Sequence, residues 1–232
     1  MSEIEENLAE ILNRIAAAAK RGGRDPADVK LVAVSKTFPA EFVRAAREAG
    51  QTLFGESRVQ EAAAKIPDLP GALSWHFIGH MQKNKVRRAL PLFELFHSID
   101  STDLAQAMDR VAAEEGAFPR GLLEVNVAGE ASKFGFSPDA LEREIDGLLT
   151  LPRLQIEGLM TIAPYDDEPE ASRPHFRALR ELRDRLAAKT GLPFGTLSMG
   201  MSGDFEIAVE EGATLVRVGS AIFGYRPKPA AE

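Results

Sequence analysis

The sequence predicts an α/β fold: a single (β/α)₈ barrel of the TIM type, with one extra helix at its N-terminus. Three observations predict it. Short apolar runs alternate with longer helical patterns about eight times along the chain, which argues for a parallel sheet with helices outside it. The 232 residues suit such a barrel, which commonly spans roughly 200–250 residues as one domain. A hydrophobic content of 44% is enough for a sizeable core and gives no sign of disorder. Eight repeats favour closure over a doubly wound open sheet, the alternative fold. No linker, literal repeat or low-complexity stretch divides the chain, so residues 1–226 read as one domain and 227–232 as a short tail.

The first helix is expected from Ile4, Leu8, Ile11, Leu12 and Ile15 at helical spacing, with Ser2 and Glu5 as a capping box and Gly22–Gly23 as a stop. Glu3, Glu5, Glu6 and Glu10 and the lack of a continuous apolar run exclude a signal peptide there. Strands follow near 30–35 (KLVAVS), 52–54, 74–78 (SWHFI), 95–99 (LFHSI), 121–127 (GLLEVNV), 154–160 (LQIEGLM), 196–198 and 214–218. Helical patterns lie between them near 39–49, 57–65, 83–90, 102–115, 138–149, 169–189 and 204–211. Ser137 before Pro138, and Ser101 or Thr102 before an apolar-periodic run, are sound helix starts.

Composition narrows the function. A net charge of −7 argues against a nucleic-acid scaffold. The absence of cysteine excludes disulfides, zinc ribbons and thiol nucleophiles. No apolar run approaches the roughly 20 residues that span a bilayer, so the chain reads as soluble and cytoplasmic, with no membrane partner.

Chemically capable residues crowd the C-terminal ends of the expected strands, the face on which such barrels bind. Lys36 follows LVAVS, Glu56 follows LFG, His80 follows HFIG and Asp100 follows HSI. Asn126 lies within EVNV, Ser198 and Ser202 flank the end of the seventh strand, and Arg217, Gly219 and Ser220 close the eighth. A lysine ending a buried strand can face the barrel mouth, where desolvation lowers its pKa and frees an amine for imine formation. It can equally snorkel to solvent, and position alone leaves both open. Residues 198–212 (SMGMSGDFEIAVEEG) run from small residues into a helix, and 217–224 (RVGSAIFG) brings backbone close to a ligand. Loops after the seventh and eighth strands are the usual phosphate position in this architecture. Arg217 could pair with a carboxylate, or it could donate to a ring nitrogen and keep that nitrogen unprotonated.

The histidines give no metal site: His76 and His80 fall on a strand and its exit without an acidic cluster, and His175 reads as a helix-surface residue. His80 is placed to line the mouth. Lys83, Lys85, Arg87 and Arg88 read as a solvated helix face. Met160, Met199 and Met201 read first as packing, though a thioether can also pad a cofactor ring.

Seven stretches carry a resemblance: LVAVSKTFP (31–39), WHFIGHMQKNK (75–85), HSID (97–100), SKFGF (132–136), GLMTIAP (158–164), LSMGMSGDFEIAVEEG (197–212) and RVGSAIFG (217–224). Through them the chain resembles the pyridoxal phosphate homeostasis protein family, whose fold is similar to the N-terminal barrel of alanine racemase. The resemblance implies pyridoxal 5′-phosphate (PLP) as cofactor, Lys36 as its Schiff-base lysine and Arg217 as the partner of the pyridine nitrogen. It also implies that Ser202, Gly219 and Ser220 hold the phosphate; Asn126, His80 and Met199 are further candidates for cofactor contact. One departure stands out: the family's Gly-Glu-Asn after the second strand is here Gly55-Glu56-Ser57. The resemblance further implies a carrier or buffer of PLP, serving PLP-dependent apoenzymes, without robust turnover; a compact barrel without a partner domain points to a monomer. The β-rich second domain of an alanine-type racemase is not expected here. The alternatives are a monomeric PLP-dependent racemase and a Schiff-base aldolase acting on sugar phosphates.

Overall fold

A computed structural model describes residues 2–130 and 132–224. Eight parallel strands close a barrel in chain order, each pairing with its neighbours and β1 with β8. They are β1 (Lys30–Val34), β2 (Leu53–Glu56), β3 (Ser74–Phe77), β4 (Leu95–Ile99), β5 (Arg120–Glu124), β6 (Gln155–Met160), β7 (Thr196–Ser198) and β8 (Leu215–Val218). Around them lie α1 (Glu3–Arg21), α2 (Ala40–Glu48), α3 (Val59–Lys65), α4 (Val86–Ala89), α5 (Thr102–Glu115), α6 (Pro138–Leu148), α7 (Arg173–Thr190), α8 (Phe205–Glu210) and α9 (Ser220–Phe223). The expected barrel and its extra N-terminal helix are both present. The expected tail, 227–232, lies outside the described residues, as does the domain boundary at 226.

Two apolar clusters hold the fold. A small one, Val32, Leu95, Leu122, Met160 and Leu215 with Leu53 against it, fills the barrel from within. A larger one lies between strands and helices, from Leu8 and Ile11 of α1 to Phe176 and Leu182 of α7. Side chains on a strand alternate between these two cores. Helix α1 begins at the Ser2–Glu5 capping box and ends at Gly22. It packs on α8, α9 and α2, and Arg14–Glu206 and Arg21–Glu210 ion pairs tie it to α8.

Beyond shifts of a few residues at element ends, such as β5 stopping at Glu124 rather than 127, three features differ from expectation. The stretch 169–189 is a 3₁₀ turn (Pro169–Ser172) followed by α7, because Pro174 lacks an N–H and is tolerated only in a helix's first turn. The stretch 83–90 likewise divides into a 3₁₀ turn (Lys83–Lys85) and α4. The short α9 was not foreseen; its four residues are too few to show helical periodicity. Among the described residues, no helix is long and apolar enough to cross a membrane.

Candidate functional site

The register of the strands brings three chain segments together at one sector of the C-terminal mouth. Strands β8 and β1 are neighbours, with Val32 opposite Arg217 and Ala33 opposite Val218. Beyond that pairing, β1 runs into the half-buried Lys36 and β8 into Gly219 and Ser220. The two ends touch: a Cβ on Gly219 would sit 3.2 Å from the Val34 carbonyl oxygen, tighter than an ordinary contact. Gly219 precedes α9, so the first N–H groups of that turn have no acceptor within the helix. The loop after β7 joins from the other side, where the Ser202 hydroxyl accepts the Gly219 N–H at 3.3 Å. Lys36, Ser202, Arg217, Gly219 and Ser220 thus belong to three adjacent strand ends, as the sequence led one to expect.

Arg217 is buried inside the barrel rather than on its rim. Its terminal nitrogens donate to the Ser198 hydroxyl and, at 2.9 Å, to the Thr161 carbonyl. A hydroxyl and a carbonyl, not a carboxylate, therefore hold the guanidinium. Burial pulls its pKa down to about 10, opposed by the charges of Glu124 and Asp204, so it stays cationic at neutral pH.

From Arg217 a chain of hydrogen bonds descends through the barrel. Ser198 Oγ lies 2.8 Å from His97 Nδ1, and His97 Nε2 lies 2.9 Å from His76 Nδ1. One order satisfies every group: Ser198 Oγ accepts from Arg217 and donates to His97 Nδ1, and His97 donates from Nε2 to His76 Nδ1. Neutral imidazoles are required for this order. Burial pushes His97 well below its ordinary value and His76 down to about 4, which supplies them.

The opposite sector of the mouth is built from β3, β4 and β5. His80 pairs with Asp100 at 2.9 Å and stacks on Phe134, ring centroids 3.8 Å apart. Glu124, at the end of β5, is buried, and its pKa rises to about 7 through burial first and the Asp100 charge second. Asn126 is occupied locally: its amide donates to the Glu130 carbonyl at 2.8 Å and its oxygen accepts the Glu130 N–H at 3.2 Å. That amide braces its own loop. Met199 is fully buried in the large cluster between strands and helices, where its thioether packs. Ser57 lines a shallow depression of about 140 Å³ with His80 and Gln82. Glu56 turns away from the mouth, toward Lys65 of α3.

Sequence reading missed Glu124, His97 and Thr161. The two-residue alternation was the available signal, since Leu122 lines the inner core and Glu124 and Asn126 follow on its parity. A cavity of about 540 Å³ opens at the other end of the barrel, around Lys30, Ser74, His76, Arg120 and Thr196. Those residues sit at strand starts, the face that serves stability in this architecture. The candidate site is therefore the C-terminal mouth. Among the described residues no cluster of three or more His, Cys, Asp or Glu could hold a metal.

Comparisons with known proteins agree with this geometry. The family model of the alanine racemase N-terminal domain matches residues 6–227. The pyridoxal phosphate homeostasis protein of Aquifex aeolicus is 44% identical over 222 residues, covering 95% of this chain and 97% of that one. Its namesake from Pseudomonas aeruginosa is 46% identical over 230 residues, covering 97% of each. The solved structure of PipY from Synechococcus elongatus with PLP bound superposes with a TM-score of 0.83 at 41% identity, over 95% of this chain and all of that one. An alanine racemase from Clostridium difficile shares the barrel at a TM-score of 0.71, with 17% identity, and spans 94% of this chain but 57% of its own. The chain therefore belongs to the alanine racemase N-terminal domain family and, within it, to the pyridoxal phosphate homeostasis proteins.

Proposed function

We propose that this chain binds PLP as a Schiff base on Lys36 and holds it as a carrier or buffer, without robust catalytic turnover. One observation carries the reading: Lys36 and the linked Ser202–Gly219 pair meet at one mouth, with the buried cation Arg217 just below them on the adjoining strand. The residues suit the group. Gly219 and Ser220 open a turn of helix whose N–H groups can take a phosphate, and the Ser202 hydroxyl stands beside them. Bound PLP would supply an aldehyde for imine formation and a conjugated ring that can draw electrons.

The chain's own residues limit that second capacity. Arg217 is a permanent donor, so a ring nitrogen facing it stays unprotonated and the ring is a weaker electron sink. Asn126 is committed to its loop and Met199 to the core, so neither is assigned a cofactor contact; His80 remains at the rim. PLP-dependent apoenzymes are the proposed recipients, the cytoplasm the proposed place and the monomer the proposed working form. The relatives in Aquifex and Pseudomonas are named pyridoxal phosphate homeostasis proteins, which supports this reading.

The test is Lys36→Ala beside the parent protein, each incubated with PLP. The expected variant has lost the borohydride-trappable imine, and the parent shows little α-proton exchange of added amino acids in deuterated water. Undiminished trapping in the variant would sink the lysine assignment. Rapid exchange by the parent would replace a carrier by a racemase-like enzyme.

A further inference from the structure

Thr37, the residue after Lys36, has φ +70°, in the left-handed region that a β-branched residue seldom enters. Such a conformation persists only when neighbouring groups hold it. Here they are side chains of α3. Lys65 Nζ donates to the Ser35 carbonyl at 3.0 Å, and the Thr37 N–H donates to Glu61 Oε1 at 2.5 Å. Those two groups belong to the peptide units on either side of Lys36. The same Nζ also reaches Glu56 Oε1 at 2.7 Å and Glu61 Oε1 at 3.1 Å. An ammonium has three protons, and here it has three acceptors. Lys65 is thus fully committed and is not a second amine for chemistry.

We infer that Lys65, Glu61 and Glu56 are positioning residues that clamp the backbone on both sides of Lys36 and so set the geometry of its imine formation. This rests on the reading of Lys36 as the Schiff-base lysine. In that reaction the Lys36 amine attacks the aldehyde carbon and gives up two protons, and the aldehyde oxygen departs with them as water. The attack demands an amine held close to its productive position. A plain helix-to-barrel tie would be better served by apolar side chains, because a buried ion pair gains little over them. This one is also imperfect. Glu56 is fully buried, Ser35 Oγ donates to its Oε1 at 2.7 Å, and its Oε2 has no partner among the described residues.

Glu61 is partly exposed at the start of α3, so Glu61→Ala is the variant least prone to misfold. It is expected to slow imine formation with PLP about tenfold, followed by absorbance and by borohydride trapping. Total PLP retained on gel filtration should change little, since the phosphate loops are untouched. Glu61→Gln keeps an acceptor for the Thr37 N–H and should restore most of the rate. The double variant Lys65→Met, Glu56→Gln removes the buried charges together and should show the same split, more strongly. If it fails to fold, the Glu61 pair decides. Parent-like imine rates in Glu61→Ala overturn the clamp, and so does a parallel fall of rate and total binding. Lys36→Ala, run alongside, separates the two ideas. Loss of imine there with normal Glu61 variants overturns the clamp alone; persistence of imine there overturns the Lys36 reading and the clamp with it.

Discussion

Arg217 carries its charge into the barrel while His97 and His76 beneath it are kept neutral by burial. The charge can be sustained because two acceptors are aimed at it, Ser198 and Thr161, and a hydrogen bond to a charged group offsets desolvation better than a neutral one. Glu124 meets the opposite balance. It has Arg217's field in its favour, but burial and Asp100 outweigh it and its pKa rises to about 7. A carboxyl raised in the folded state binds a proton there that the unfolded chain has already released. Glu124's own contribution to stability therefore falls as pH climbs from the ordinary carboxylate range to about 7 and is flat above it. Glu124→Gln is expected to remove that slope, leaving the variant more stable than the parent near about pH 8 and similar near about pH 4; urea denaturation at the two values measures it. A parent–variant difference that is the same at the two pH values would contradict it. The histidines act on the acid side: depressed to about 4 for His76, they take stability away as pH falls from their ordinary range. Lys36 and Arg217 were legible as residues because they end apolar strands. Glu124 and His97 were not, because a polar residue inside a strand looks the same whether it faces a mouth, a core or a helix.

Strand–helix alternation made every strand legible to within a few residues, since each buried run is bounded by polar turn chemistry. The second strand shifted from 52–54 to Leu53–Glu56, because Gly55 reads as a breaker yet serves here as a place where strands crowd. Gly158 of β6 makes the same point more sharply. A methyl there would lie 1.8 Å from the Thr196 carbonyl oxygen of β7, the very pair that holds these strands in register. Backbone cannot yield as a side-chain tip can, so Gly158→Ala should cost about 3 kcal/mol or more. It should also loosen the β7 end, which carries Ser198. A chemical-denaturation midpoint unchanged from the parent would contradict that packing. The elements that escaped the sequence were the short ones. Helix α9 and the 3₁₀ turns, four among the described residues (Pro26–Asp28, Ile66–Asp68, Lys83–Lys85 and Pro169–Ser172), are too short to show the period that would reveal them.

At the scale of the whole molecule, closure brings distant segments to one mouth. Lys36 and Gly219 are far apart in sequence, yet β1 and β8 are neighbours only because the sheet returns on itself. The same strand order left open would put Lys36 and the Gly219–Ser220 turn at opposite edges. The barrel could be foreseen from repetition, and the crowding of Lys36, Ser202, Gly219 and Ser220 at its C-terminal end from where they fell in the chain. What repetition could not convey is register, and register aligns Arg217 with Val32 and so sets it below the mouth, linked to His76 at the other end. The central claim is a covalent but reversible tether at Lys36. The most direct measurement is the absorbance spectrum of the protein loaded with PLP, before and after borohydride, followed by peptide mapping of the reduced product. A visible imine band that disappears on reduction is expected, with the added mass on the peptide containing Lys36. A protein that stays colourless with PLP, or carries the label on Lys65 or Lys133 instead, would contradict it.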